Sequence, residues 1–188
     1  MSKEKKVLAG KKILLGVTGG IAAYKAADLA SRLAAEGAQV KTIMTDSAQK
    51  LITAKTFEAV TGGPVFTEMW SAPEEFRIGH IQLADWSDAV VIAPATADII
   101  AKTACGICDD LLSTVMCVCW EKPILIAPAM NTRMWNNPVT QKNIAALKEL
   151  KVHIVGPCSG RLACGAEGPG RMSEPEDIIA AVKKLISP

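Results

Sequence analysis

The sequence has few of the side chains on which most catalytic sites depend. Its 188 residues include two histidines and one tyrosine, and they form no Ser-His-Asp arrangement, P-loop or metal-ligand spacing. No apolar run approaches the ~20 residues of a membrane span, and a net charge of +2 gives no reason to expect a nucleic-acid or membrane surface. We expect a cytoplasmic protein without nucleic-acid, membrane or metal partners, in which a cofactor supplies the difficult chemistry.

Cysteine is the one reactive residue type that recurs, and most of its positions give no site. Cys105 and Cys108 have thioredoxin-like spacing, but they come far too late to open the helix after a first strand. Cys117 and Cys119 would point in different directions on a helix, which does not suit shared metal ligation. We interpret these four as small buried hydrophobic residues rather than a redox or zinc site.

The apolar pattern predicts one α/β domain over residues 1–188. Hydrophobic residues make up 49% of the chain, in short runs at 13–17, 40–44, 89–93, 124–127 and 152–155 separated by helical segments. This alternation predicts a Rossmann-like (flavodoxin-like) open parallel sheet with helices on both faces. It also predicts a helix from 45–47 towards Thr61, a long helix from about residue 99 to 120 kinked at Gly106, and a final helix begun by a Ser173–Glu176 capping box.

Small, polar or glycine-rich segments follow the predicted strands, at 16–25, 45–47, 94–98, 128–135 and 156–172. Because parallel strands end at one edge of a sheet, these segments should converge there. Gly19 and Gly20 would allow a phosphate to approach the backbone. They do not complete the dinucleotide fingerprint, so the sequence favours a mononucleotide or another phosphate over NAD.

Several of these residues also have ordinary structural explanations. Thr45 and Thr96 would serve as helix N-caps whether or not they touch a ligand. His80 lies beside apolar residues, a setting in which a lone histidine is more often structural than catalytic. His153 alternates with apolar neighbours, and we expect it to be structural. Residues 156–172, rich in glycine, are a candidate lid or a surface linker.

Three motifs resemble the homo-oligomeric, flavin-containing cysteine decarboxylase family. Residues 128–135 match its PxMNxxMW signature, residues 163–172 match its ACGxxGxGRM substrate clamp, and residues 16–25 are similar to its first FMN loop. The resemblance runs from about Lys12 to the last helix. It implies FMN-dependent decarboxylation of phosphopantothenoylcysteine to phosphopantetheine in coenzyme A biosynthesis. It also implies a trimer or dodecamer with FMN at a subunit interface.

The resemblance assigns a role to each matching residue. His80, in a His-Ile-x-Leu-Ala context like that of the family's active-site histidine, would assist substrate positioning and proton transfer in the oxidative step. Asn131 would hold the substrate carboxylate, and Cys164 would donate a proton in the final reduction. The implied FMN contacts are Gly19, Gly20, Ile21, Thr45, Ala95, Thr96, Asp98 and Ala129. The further substrate contacts are Met134, Ala163, Gly165, Arg171 and Met172.

Other functions of the same family remain open at this point. Many members carry asparagine where this chain has Asp98, so a role that needs an amide donor there is in doubt. A flavin prenyltransferase lacks the signature and clamp pair, and FMN-binding subunits that inhibit a phosphatase often lose the asparagine or the clamp cysteine. A peptidyl-cysteine decarboxylase is a further alternative. In many bacteria the domain is fused to the ligase that makes its substrate, and the sequence leaves a fused or separate ligase open.

Overall fold

Short parallel strands alternate with helices in the computed structural model, which describes residues 7–70, 79–163, 165 and 167–187. The main sheet consists of β1 (Lys12–Val17), β2 (Gln39–Met44), β3 (Val65–Phe66), β4 (Ala89–Ala95), β5 (Ile124–Pro128) and β6 (His153–Ile154). Its order is β3-β2-β1-β4-β5-β6, which is the Rossmann order rather than the flavodoxin order. The predicted open parallel sheet is therefore confirmed.

The helices cover both faces of this sheet. They are α1 (Ala23–Ala35), α2 (Asp46–Gln49), α3 (Ala54–Thr61), α4 (Gly79–Trp86), α5 (Ala97–Cys105), α6 (Leu111–Val118), α7 (Thr132–Trp135), α8 (Pro138–Glu149) and α9 (Pro175–Ile186). One core cluster joins α1, α3 and α9 to the sheet, and the other joins α4, α5, α6 and α8. Every residue of β4 and β5 is buried, as expected for strands covered on both sides.

A two-stranded antiparallel hairpin follows the main sheet. Its strands are β7 (Cys158–Arg161) and β8 (Glu167–Arg171), and we call it the clamp hairpin. The glycine-rich segment 156–172 thus contains paired strands, which the glycine spacing did not reveal.

The long helix expected from about 99 to 120 is wrong, because the chain breaks between α5 and α6. Gly106 has a φ of +68° and ends α5 in the left-handed conformation, which glycine adopts without a steric penalty. Asp110 then begins α6 with a complete capping box: its carboxylate accepts from the Ser113 amide, and the Ser113 hydroxyl accepts from the Asp110 amide.

Other local predictions also need correction. Cys105, Cys108 and Cys117 are exposed, and of the four mid-chain cysteines only Cys119 is buried. Cys105 and Cys108 flank the exposed break at Gly106, and Cys117 lies on the outer face of α6. The helix expected to run from 45–47 towards Thr61 is two helices, α2 and α3.

The N-cap of the last helix also differs from its prediction. Glu174, not Ser173, occupies that position. Ser173 is instead 2% exposed, with its hydroxyl 3.6 Å from the Cys158 thiol. In contrast, α8 begins at Pro138 with a side-chain cap: the Asn137 side chain accepts from the Val139 amide. Within the described residues, no helix combines the length and the apolar character needed to cross a bilayer.

Because a core cluster lies on each face of the sheet, adjacent residues of β1 should contribute similarly to the free energy of unfolding. Leu14 and Leu15 are both 0% exposed but lie in opposite core clusters. Leu14→Ala and Leu15→Ala should each lower the free energy of unfolding by about 2–5 kcal/mol in urea denaturation, because each leaves a cavity. Leu150→Ala, at a residue that is 63% exposed, should change it by less than ~0.5 kcal/mol. A large cost at only one of the two β1 positions would contradict the two-layer arrangement.

Candidate functional site

A cleft of about 400 Å³ lies at the carboxyl ends of β1, β2 and β4. The loops after these strands supply most of its wall, and α5, α6 and α7 complete it. Five residues that the sequence singled out line this cleft: Gly19, Thr45, Thr96, Asp98 and Met134. The prediction that separate strand ends converge at one edge is thereby confirmed.

Thr18 fastens the first loop to the fourth strand. Its hydroxyl is 2% exposed, donates to the Pro94 carbonyl at 2.7 Å and accepts from the Thr96 amide at 3.1 Å. The loops after β1 and β4 therefore hold a fixed separation across the cleft. Sequence reasoning missed Thr18 because its partners are 76 and 78 residues away.

Thr45 and Thr96 are both N-caps. The Thr45 hydroxyl accepts from the Ala48 amide at 3.3 Å, and the Thr96 hydroxyl accepts from the Ile99 amide at 3.5 Å. A hydroxyl that accepts in this way keeps its own proton for a second partner. Because both residues also line the cleft, the structural role is compatible with ligand binding.

Glycine is required where the first two loops meet. A Cβ on Gly19 would lie 2.3 Å from the Cβ of Ser47, far inside van der Waals contact. Ser47 lies within α2 rather than capping it, and its side chain faces the same cleft. This end of the cleft is therefore narrow and lined by backbone and hydroxyl groups.

The other predicted FMN residues, Gly20, Ile21, Ala95 and Ala129, are not among the residues that line the cleft. The Ala129 amide donates to the Ala95 carbonyl at 2.9 Å, which ties the ends of β4 and β5 together. A Cβ on Gly20 would lie 3.5 Å from Pro94 and 3.8 Å from the Ala129 carbonyl, so Gly20 sits beside the same pair. Ile21 is 65% exposed and points away from the core.

The signature loop is built around Asn131, the N-cap of α7. Its side-chain oxygen accepts from the Arg133 amide at 2.8 Å, which fixes the orientation of the side chain at the start of α7. Met134 lines the cleft and is 47% exposed. Trp135 packs against the core beneath the loop.

The clamp hairpin lies against this loop through backbone contact. The Met130 amide donates to the Gly170 carbonyl at 2.9 Å. A Cβ on Gly170 would fall 2.2 Å from the Met130 carbonyl, and one on Gly168 would fall 2.9 Å from the Thr132 side chain. Gly168 and Gly170 are therefore what lets β8 approach the loop so closely.

The predicted clamp residues are spread along this hairpin. Ala163 and Gly165 are exposed between the strands, and Cys164 lies outside the described residues. Arg171 is exposed and donates to the Glu174 carboxylate at 3.4 Å. Met172 is 2% exposed and packs in the core, so only its backbone could meet a substrate.

Neither histidine is among the residues that line the cleft. His80 is half-buried near the start of α4, which packs on α6. His153 is exposed on β6, at the edge of the sheet. Among the described residues, no group of three or more His, Cys, Asp or Glu side chains could hold a metal ion.

Lys102 is a further cleft residue that sequence reasoning missed. Its ammonium lies 2.9 Å from Asp109, 3.0 Å from Asp110 and 3.4 Å from Asp98. Burial opposes its charge, but hydrogen bonds to Asp109 and Asp110 raise the pKa of Lys102 above its ordinary value. The hydrogen bond from Lys102 likewise lowers the pKa of Asp109. The one sequence signal for this cluster was the four-residue spacing of Asp98 and Lys102, because residues at i and i+4 on a helix are neighbours.

Thr18 offers a direct test of the cleft's construction. Thr18→Val keeps the shape of the side chain but removes its hydroxyl, so the Pro94 carbonyl and the Thr96 amide each lose a hydrogen-bond partner. We expect the free energy of unfolding to fall by about 1–3 kcal/mol. Thr18→Ser should retain most of that stability in the same denaturation experiment. Equal stability of the valine variant and the wild type would show that this link does not hold the loops.

Gly170 tests the docking of the clamp hairpin. Gly170→Ala should detach β8 from the signature loop, because the new methyl group would collide with the Met130 carbonyl. Limited proteolysis of residues 158–171 should then proceed faster than in the wild type. Gly165→Ala, where a Cβ would meet nothing within 4 Å, is the control, although its φ of +84° adds a local strain. Unchanged proteolysis of Gly170→Ala would contradict the docking role.

Comparisons with known proteins agree with one another. The Flavoprotein family model matches residues 1–187. The coenzyme A biosynthesis bifunctional protein CoaBC of Vibrio vulnificus (strain YJ016) is 48% identical over 181 residues, which cover 96% of this chain and 45% of that protein. The chain thus spans about half the length of the curated relatives it matches.

Solved structures show the same relationship. A PPC decarboxylase mutant complexed with pantothenoylaminoethenethiol is 34% identical, with a TM-score of 0.86 over 94% of this chain and 98% of that one. The FMN-binding protein AtHal3 is also 34% identical, with a TM-score of 0.82 over 93% of this chain and 96% of that one.

Proposed function

Because this chain belongs to the flavoprotein family, we propose that it binds FMN in the strand-end cleft and decarboxylates phosphopantothenoylcysteine to phosphopantetheine in coenzyme A biosynthesis. The similarity to CoaBC and to a PPC decarboxylase supports this reaction. The observation that carries it is the convergence of Gly19, Thr45, Thr96, Asp98 and Met134 on one cleft beside the signature loop.

The residues at the cleft fit a flavin mononucleotide. The narrow end, where Gly19 meets Ser47, offers backbone and hydroxyl donors suited to a phosphate. Leu111, Leu112 and Met134 provide apolar surface for a ring system on another wall. Gly19, Thr45 and Ser47 would hold the phosphate, and Thr96 and Asp98 would contact the remainder of the cofactor.

Bound FMN would supply the redox chemistry, taking two electrons from the thiol end of the substrate and returning them after decarboxylation. Asn131 would bind the substrate carboxylate through its side-chain NH₂, because its oxygen is already held by the Arg133 amide. The carboxylate would then leave as carbon dioxide from a fixed position. The docked clamp hairpin would cover the substrate and exclude water during this step.

Two residues would move protons. His80 would assist proton transfer while the substrate is oxidised, and Cys164 would protonate the enethiol carbon in the final reduction. Since His80 does not line the cleft of its own chain, we infer that a neighbouring copy supplies it in a homo-oligomer, a trimer or a dodecamer. We further propose that the protein acts in the cytoplasm with a phosphopantothenate–cysteine ligase, either fused to it or separate, as the bifunctional relatives suggest.

Mass spectrometry of the products tests this proposal. The purified protein with FMN and phosphopantothenoylcysteine should yield phosphopantetheine, lighter than the substrate by one carbon dioxide. Asn131→Asp should abolish turnover, because a carboxylate there would repel that of the substrate. Cys164→Ser should release carbon dioxide but accumulate the oxidised enethiol.

Cys158→Ser is the matched control, because Cys158 is an exposed cysteine of the clamp hairpin and should not be needed for turnover. Intact substrate in the presence of a yellow, FMN-loaded protein would contradict the decarboxylase assignment. It would favour a prenyltransferase or a regulatory subunit instead. Full turnover by Cys164→Ser would remove that thiol from the mechanism.

A further inference from the structure

Lys102 occupies an unusual electrostatic position in the cleft. The described lining residues include three carboxylates, Asp46, Asp98 and Asp110, and one basic residue, Lys102. Asp109 adds a further carboxylate beside the same ammonium. A phosphate-bearing cofactor is an anion, so without Lys102 it would enter a cleft whose wall carries only negative charge.

The same lysine also fixes part of the cleft wall. Asp110 uses one carboxylate oxygen to cap α6 at 2.7 Å from the Ser113 amide and the other to accept from Lys102 at 3.0 Å. Leu111 and Leu112, the first residues of α6, line the cleft directly after this cap. The ammonium is well shielded, because the Lys102 side chain is only 17% exposed.

We propose that Lys102 is a positioning residue for the cofactor: it neutralises the acidic corner formed by Asp98, Asp109 and Asp110, and so lets an anionic flavin nucleotide bind in the cleft. This inference rests on the proposed function, since it takes FMN as the ligand. Lys102 acts on FMN through the charge balance and through the start of α6. It keeps its proton at physiological pH, since the adjacent carboxylates raise its pKa.

The role of Asp98 follows from the same charge balance. Its carboxylate is 70% exposed and lies 3.4 Å from the Lys102 ammonium. An asparagine at this position would carry no charge, whereas the negative charge of Asp98 is offset by the lysine. An unpaired carboxylate left in the cleft is therefore the main consequence of losing Lys102. Replacing Asp98 by asparagine as well should recover part of the lost affinity for FMN.

FMN titration, followed by flavin fluorescence, tests the inference. Lys102→Met should raise the Kd for FMN by roughly tenfold or more at low salt, because it leaves carboxylates beside the cleft without their cationic partner. Lys102→Arg keeps the charge and should stay within about threefold of the wild type. Asp98→Asn in the Lys102→Met background should recover part of the lost affinity. The ratio of the Lys102→Met Kd to the wild-type Kd should fall as the salt concentration is raised, because salt screens repulsion between charges. A purely structural defect would leave this ratio unchanged.

Lys55→Met is the matched control. Lys55 is 87% exposed, pairs with Glu58 on α3 and does not line the cleft, so the same change in net charge should leave the Kd unaltered. The Kd of Lys102→Gln for FMN is measured in parallel, and circular dichroism checks that both variants are folded. The result then does not depend on the methionine variant alone. A wild-type Kd in either folded variant would overturn the inference while leaving the proposed function intact. A wild-type protein that binds no FMN would overturn both.

Discussion

The candidate site depends on the parallel alignment of β1 and β4 at the centre of the sheet. Since β1 lies between β2 and β4, the loops that follow β1 and β4 diverge to opposite faces and leave a crevice at their shared edge. Thr18 then holds these two loops at a fixed distance through one buried hydroxyl. The cleft is thus a consequence of strand order, and the side chains of its loops determine what it can bind.

Close backbone approach is the second constraint on this site. Gly19 lets the first two strand-end loops touch, and Gly168 and Gly170 let the clamp hairpin lie on the signature loop. In each case a single methyl group would separate elements far apart in sequence. The glycines of the motifs therefore let backbone segments from distant parts of the sequence meet around the candidate site.

Sequence patterns predicted the sheet and the cleft because apolar runs and strand ends are local signals. They failed at Gly106, since apolar residues continue on both sides of it and only the capping of α6 by Asp110 shows that a new helix begins. The contacts of Lys102 with Asp109 and Asp110 were beyond prediction, because they form only when the loop before α6 folds back onto α5. The roles of His80, Asn131 and Cys164 come from the family resemblance and stay predictions.

A crystal structure of the protein with FMN tests the central claim most directly, that the strand-end cleft is the cofactor site. The account predicts electron density for the FMN phosphate between Gly19 and the loop of Thr45 and Ser47, with the rest of the cofactor alongside Thr96 and Asp98. FMN bound elsewhere, such as at the amino ends of the strands or on the exposed face of the clamp hairpin, would contradict it.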